Sequence, residues 1–172
     1  VHGYVKATVG SGLNLSKQEI SACQALAKHG GQKTEVEKHF QTLLLNRYKS
    51  YRDQGLAGIL PYHRKGGIDF HPGDELRLSL QAASLLKKEC PLFHNAALNY
   101  PNSRPKGLEE SFFWLNALTD DKTTVSLMHH MGMEDNGMYI VLERQFYVSR
   151  SHNSVQGLGC ACPVDATTTI IA

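Results

Sequence analysis

The stretch Thr123-Thr124-Val125-Ser126-Leu127-Met128-His129-His130-Met131-Gly132-Met133-Glu134-Asp135-Asn136-Gly137-Met138-Tyr139-Ile140-Val141-Leu142-Glu143-Arg144-Gln145-Phe146-Tyr147-Val148 decides the fold. Upstream, apolar residues recur at helical spacing; here the period becomes two, which is the signature of strands. Asn136-Gly137 is the strongest short hairpin signal known, because both residues tolerate the positive φ of a tight turn. The first strand puts Val125, Leu127, His129 and Met131 on one face. The returning strand puts Ile140, Leu142, Arg144, Phe146 and Val148 on one face, with Tyr139, Val141, Glu143, Gln145 and Tyr147 on the other. A third strand is predicted from Val155 to Cys162, and a last β-branched run spans Thr167 to Ile171.

An Asn-Gly turn sets His129 opposite Arg144, or diagonal to it if the register slips by two. Both then sit on the apolar face, which must be covered because exposing so much hydrocarbon to water is costly. A buried guanidinium needs an acidic partner, water in a cavity or an anionic ligand. One reading is a core histidine with a structural ion pair to Glu109 or Glu110; another is a ligand pocket; a third is catalysis. On the opposite face His130 and Glu143 are expected to be cross-strand neighbours. His129 and His130 point to opposite sides of the strand, which argues against a shared metal.

Working outward, Ser16 and Glu19 form a capping box that opens a first helix, ended by Gly30-Gly31. Thr34 and Glu37 suggest a second box before a longer helix striped with Val36, Phe40, Leu43, Leu44, Tyr48 and Tyr51. Residues 55–62 read as a packed apolar connector, followed by a basic, glycine-containing loop at Arg64-Lys65-Gly66-Gly67. Pro72, with Asp74 and Glu75, starts a third helix whose inward residues run to Leu86. Pro91 begins a short fourth helix, and Leu108 to Leu118, with Phe112, Phe113 and Trp114, reads as a fifth. The chain is thus expected to be a single α+β domain over 1–172. About five helices, mainly over 16–118, pack on an antiparallel sheet of three to four strands over 123–172.

At 172 residues a folded chain buries roughly 70% of its unfolded surface, so a core needs no staples. Eighteen basic residues against sixteen acidic is too balanced to indicate a nucleic-acid partner. No apolar run reaches the ~20 residues of a membrane span. Cys23, Cys90, Cys160 and Cys162 lack zinc spacing and read as free thiols, with a disulfide as the alternative. The start at Val1 rather than Met suggests a processed or excised chain. Signatures for a serine-hydrolase elbow, a zinc protease, a phosphate loop and a dinucleotide fold are all missing.

Three segments carry a resemblance: Tyr51-Arg52-Asp53-Gln54-Gly55-Leu56-Ala57-Gly58-Ile59-Leu60-Pro61-Tyr62, Lys106-Gly107-Leu108-Glu109-Glu110-Ser111-Phe112-Phe113-Trp114 and Arg144-Gln145-Phe146-Tyr147-Val148-Ser149-Arg150-Ser151-His152-Asn153-Ser154. Together they resemble a group of uncharacterised, often exported bacterial proteins over residues 35–170, which implies a periplasmic or secreted location. The resemblance implies a sheet that continues beyond Ala172 and assigns no functional residue. The order of elements also resembles the helix-grip architecture of START-like lipid-binding domains.

The leading expectation is a binding protein for a small apolar or amphipathic, anionic molecule held between sheet and helices. Arg144 would meet the head group and His129 would orient it, with Phe112, Phe113, Trp114, Leu142 and Phe146 as walls. No cofactor or metal is specified. The alternatives are a small hydrolase or oxidoreductase using His129, Glu143 or His152, and an interaction module that pairs through the edge strand Thr167 to Ile171.

Overall fold

The computed structural model describes residues 4, 7, 12–28, 30, 32–119 and 121–172. In chain order the elements are helices α1 (Lys17–Lys28) and α2 (Lys33–Gln54), a 3₁₀ turn (Gly55–Gly58), a ribbon of β1 (Tyr62–His63) and β2 (Asp69–Phe70), helices α3 (Pro72–Ala82), α4 (Ser84–Glu89) and α5 (Pro91–Asn99), then strands β3 (Glu109–Thr119), β4 (Lys122–Asp135), β5 (Met138–Val148), β6 (Val155–Pro163) and β7 (Thr169–Ile171). Strands β3 to β7 form one antiparallel meander in sequence order. Helices followed by an antiparallel sheet make an α+β fold, with five strands in the large sheet rather than three or four.

Local chemistry explains most element ends. The Ser16 N–H donates to Glu19 Oε2 at 2.7 Å, and the Glu19 N–H donates to Ser16 Oγ at 3.3 Å, so the first capping box forms. The second does not. Helix α2 starts at Lys33 with Gln32 as its cap, so Thr34 is already helical and cannot cap. Glu37 instead pairs with Lys33 at 3.9 Å. Pro72 opens α3 with Asp74 and Glu75 in its first turn. The expected run to Leu86 breaks at Ala83, whose ψ of 66° is not helical, and restarts as α4. Asn136 and Gly137 take φ of 51° and 74°, the two-residue turn whose twist suits the strands it joins.

The largest correction is the expected fifth helix. Residues 109–119 are strand β3, paired along its whole length with β4. Phe112 lies opposite His129, Trp114 opposite Leu127 and Asn116 opposite Val125. Four consecutive bulky apolar residues, Phe112 to Leu115, satisfy either period, so the partner strand decides.

A second departure is a bulge. Leu127 pairs with Tyr147 and Met128 with Gln145, leaving Phe146 as the extra residue of β5. A bulge re-aims the side chains around it. Tyr147, expected on the outer face, is instead buried with Arg47 of α2 lying 4.3 Å over its ring. Phe146 stacks on Tyr51 of α2 at 4.2 Å, and the Phe93 N–H at the start of α5 donates to Asp135 of β4 at 2.9 Å. Helices thus cover one sheet face. Leu56, Ile59 and Tyr62 are buried, as a packed connector requires. Among the described residues no helix is long and apolar enough to cross a membrane.

Candidate functional site

His129 and Arg144 are opposite one another, as the turn implies, and both are wholly buried. The surroundings of Arg144 differ from the expectation of an acid or an anionic ligand. Its Nη1 donates to the Tyr51 hydroxyl at 3.0 Å, Nη2 to the Ala97 carbonyl at 2.8 Å and Nε to Gln156 Oε1 at 3.2 Å. All three partners are neutral oxygens of the protein, so three of the five guanidinium N–H groups are satisfied without an acid.

The Tyr51 hydroxyl accepts from Arg144, so its own proton goes to His129 Nδ1, 2.9 Å away. That assigns the His129 proton to Nε2, which faces Glu110 Oε2 across 3.7 Å. Glu110 is held in turn by Arg104. Burial first, then the cations Arg144 and Arg104, push the His129 pKa down to about 3, so the ring is neutral. Burial, with Glu110 nearby, pushes the Tyr100 phenol up to about 12. Phe112 stacks on the His129 ring at 4.3 Å and seals it from the other side.

Beyond Phe112 lies an open concavity of about 620 Å³ between α2 and β3. Leu44, Leu45 and Tyr48 form its helical wall, Phe112 and Trp114 its strand wall, and Leu127 and Phe146 part of its floor. Trp114, on the helix-facing side of β3, is 72% exposed. Of the wall residues expected from sequence, Phe112, Trp114 and Phe146 line this groove. Leu142, His129 and Arg144 do not; they form the packed layer behind it. Leu44 and Tyr48 were hidden in a stripe that looks like ordinary core, and Leu45 lay outside it. The one signal was the run Leu43-Leu44-Leu45, too broad for a single buried face.

A second cavity of about 540 Å³ adjoins the groove, with Phe40, Gln41 and Val125 common to both linings. Val36, Glu37, Lys122, Ser149 and Arg150 also line it. A third, of about 400 Å³, adjoins at Leu13 and includes Asn14, Arg64, Lys65 and Ser151.

On the far face of the sheet His130 Nδ1 lies 2.6 Å from Glu143, a half-exposed cross-strand pair. His152 is hydrogen-bonded to Gln145, whose amide donates to Ser126 at 2.7 Å. His129, Glu143 and His152 are therefore not brought to one point. All four cysteines are free thiols, with Cys160 and Cys162 Sγ atoms 3.8 Å apart on one face of β6. Among the described residues no three His, Cys, Asp or Glu side chains converge as metal ligands.

Comparison with family models, curated proteins and solved structures finds no match to the chain. Shape and chemistry of the groove thus carry the functional conclusion.

Proposed function

We propose that the chain binds a small apolar or amphipathic molecule in the groove between α2 and β3. The observation that carries this reading is Trp114, a large aromatic left 72% exposed on the wall of a concavity of about 620 Å³. An apolar concavity with few polar groups, here Gln41 and Asn116, is the usual form of a small-molecule site. An occupant would remove this surface from water and gain roughly 25 cal/mol for each Å² of apolar area covered.

Trp114 is the chain's sole tryptophan, so its fluorescence reports the groove directly. Titration with dodecanol, below its solubility limit, is expected to shift the emission to shorter wavelength and to saturate. Leu45 is 48% exposed, so Leu45→Arg blocks the groove at little cost to folding and is expected to abolish the change. An unsaturable signal, or one unaltered in Leu45→Arg, sinks the reading.

A second reading, pairing through the sheet edge, is favoured by β7, where Ile170 and Ile171 are 57% and 83% exposed. Sedimentation across a concentration series tests it, and a monomer at every concentration counts against self-pairing.

A further inference from the structure

We propose that the groove ends in an anion site built on Arg150, so that its ligand is an apolar chain or ring system carrying a terminal oxyanion, a carboxylate or a phosphate ester. This rests on the groove reading above and adds the head group to it.

The first support is continuity. The apolar groove and the second cavity share Phe40, Gln41 and Val125, so a molecule lying along α2 passes from aromatic walls to a charged end. Lys122 and Arg150 supply the charge there. Among the described residues the one carboxylate on that lining, Glu37, pairs with Lys33 at 3.9 Å. Neither Arg150 nor Lys122 makes an ion pair among the described residues.

The second support is an unmet hydrogen bond. Arg150 Nε is buried without a partner among the described residues. A guanidinium N–H withdrawn from water and left unpaired is costly, so a turn of the side chain that brings its fork to a ligand oxyanion in the cavity replaces that cost with a charge-assisted bond.

The third is rigidity. Arg150 is not a free surface arginine: its backbone bridges Leu13. The preceding Ser149 donates its N–H to Val125 at 2.8 Å, accepts the Asn14 N–H at 2.9 Å, and takes the Val125 N–H on its hydroxyl at 2.9 Å. The backbone that carries the cation is fixed in this way, so only the side chain is left to order when a ligand arrives. Beyond it, Arg64 donates to the neutral side-chain oxygens of Asn14 at 2.7 Å and Asn153 at 2.8 Å. Among the described residues it makes no ion pair, and with Lys65 in the adjoining cavity this end gathers positive charge.

The test uses the whole chain and four probes, dodecanoate, dodecyl phosphate and dodecyltrimethylammonium below their critical micelle concentrations and dodecanol below its solubility limit, followed by Trp114 fluorescence and calorimetry. One anionic probe is expected to bind at least about tenfold tighter than dodecanol, the cationic probe weakest, and the advantage to shrink with added salt. Arg150→Gln is expected to erase the difference between acid and alcohol, and Arg150→Lys to restore part of it. Whichever of dodecanoate and dodecyl phosphate binds tighter identifies the head group. Equal affinity of acid and alcohol, or an anionic advantage that survives Arg150→Gln, overturns the anion site and leaves the groove standing. Failure of all four probes to saturate removes the groove and the anion site with it. If Arg150→Gln does not fold, the wild-type salt dependence decides: an acid-to-alcohol ratio indifferent to salt overturns the proposal.

Discussion

Tyr51 and His129, from α2 and β4, meet through a 2.9 Å hydrogen bond at the centre of the protein, where neither side chain touches solvent. Because Tyr51 also accepts from Arg144, one phenol settles both the tautomer of the histidine and the charge environment of the arginine. Removing that hydroxyl is the sharpest probe of the arrangement. Tyr51→Phe keeps the stack on Phe146 but leaves Arg144 Nη1 and His129 Nδ1 unpaired in the core. A loss of about 2–4 kcal/mol is expected in urea unfolding. A change below about 1 kcal/mol would show that water reaches both groups.

Acid should destabilise the fold through His129. Its folded pKa, pushed down to about 3, lies below the ordinary 6.5. Between those values the unfolded chain takes up a proton that the native ring refuses, so stability is full above the ordinary pKa and falls as pH drops toward the native one. The fall approaches about 1.4 kcal/mol per pH unit for this group. Urea midpoints measured from about pH 7 to pH 4 for wild type and His129→Gln check this. Equal slopes in the two proteins would remove His129 as the cause.

Arg47 is 3% exposed and is held by Glu19 through Nε at 2.8 Å and Nη2 at 2.5 Å. Glu19→Gln keeps the shape of the side chain and an acceptor for Ser16 but strands a buried cation above Tyr147. A loss of about 3 kcal/mol is expected in thermal or urea unfolding. A variant as stable as wild type would mean that Arg47 finds solvent.

Gly55 ends α2 at φ 60°, and a Cβ there would overlap the Tyr100 carbonyl. Backbone conformation and close approach both exclude a side chain at this position. Gly55→Ala should therefore lower the melting temperature sharply or block soluble expression, whereas Gly137→Ala, at a turn with open space around it, should cost only about 1 kcal/mol. Equal effects at the two sites would contradict the packing of α2 against the loop at Tyr100.

Cys23 and Cys90 are buried, while Cys160 and Cys162 are half-exposed. A thiol reagent should thus modify two cysteines quickly in the native protein and all four in denaturant. Rapid reaction of a third thiol in the native state would mean that the layer over Cys23 or Cys90 opens.

Signals that lie within a few residues of one another were legible in the chain itself. Ser16 with Glu19, Pro72 with Asp74 and Glu75, and Asn136-Gly137 each form their own hydrogen bonds or set their own dihedrals, so they announced the helix starts and the hairpin. Strict alternation then carried the hairpin register to the pairing of His129 with Arg144 and to their burial. What lay beyond reach depends on surfaces that meet across long separations. Phe112 to Leu115 have no period of their own and became a strand because β4 offers a partner. The bulge at Phe146 turned Tyr147 inward to meet Arg47. Arg144 took its partners from positions 51, 97 and 156, none of them an acid. Trp114 was left uncovered, and Arg150 was carried to the end of the groove, by where α2 and the segment at Leu13 come to rest. Local order needs only neighbouring backbone groups, whereas the walls of a cavity are defined by what packing fails to fill.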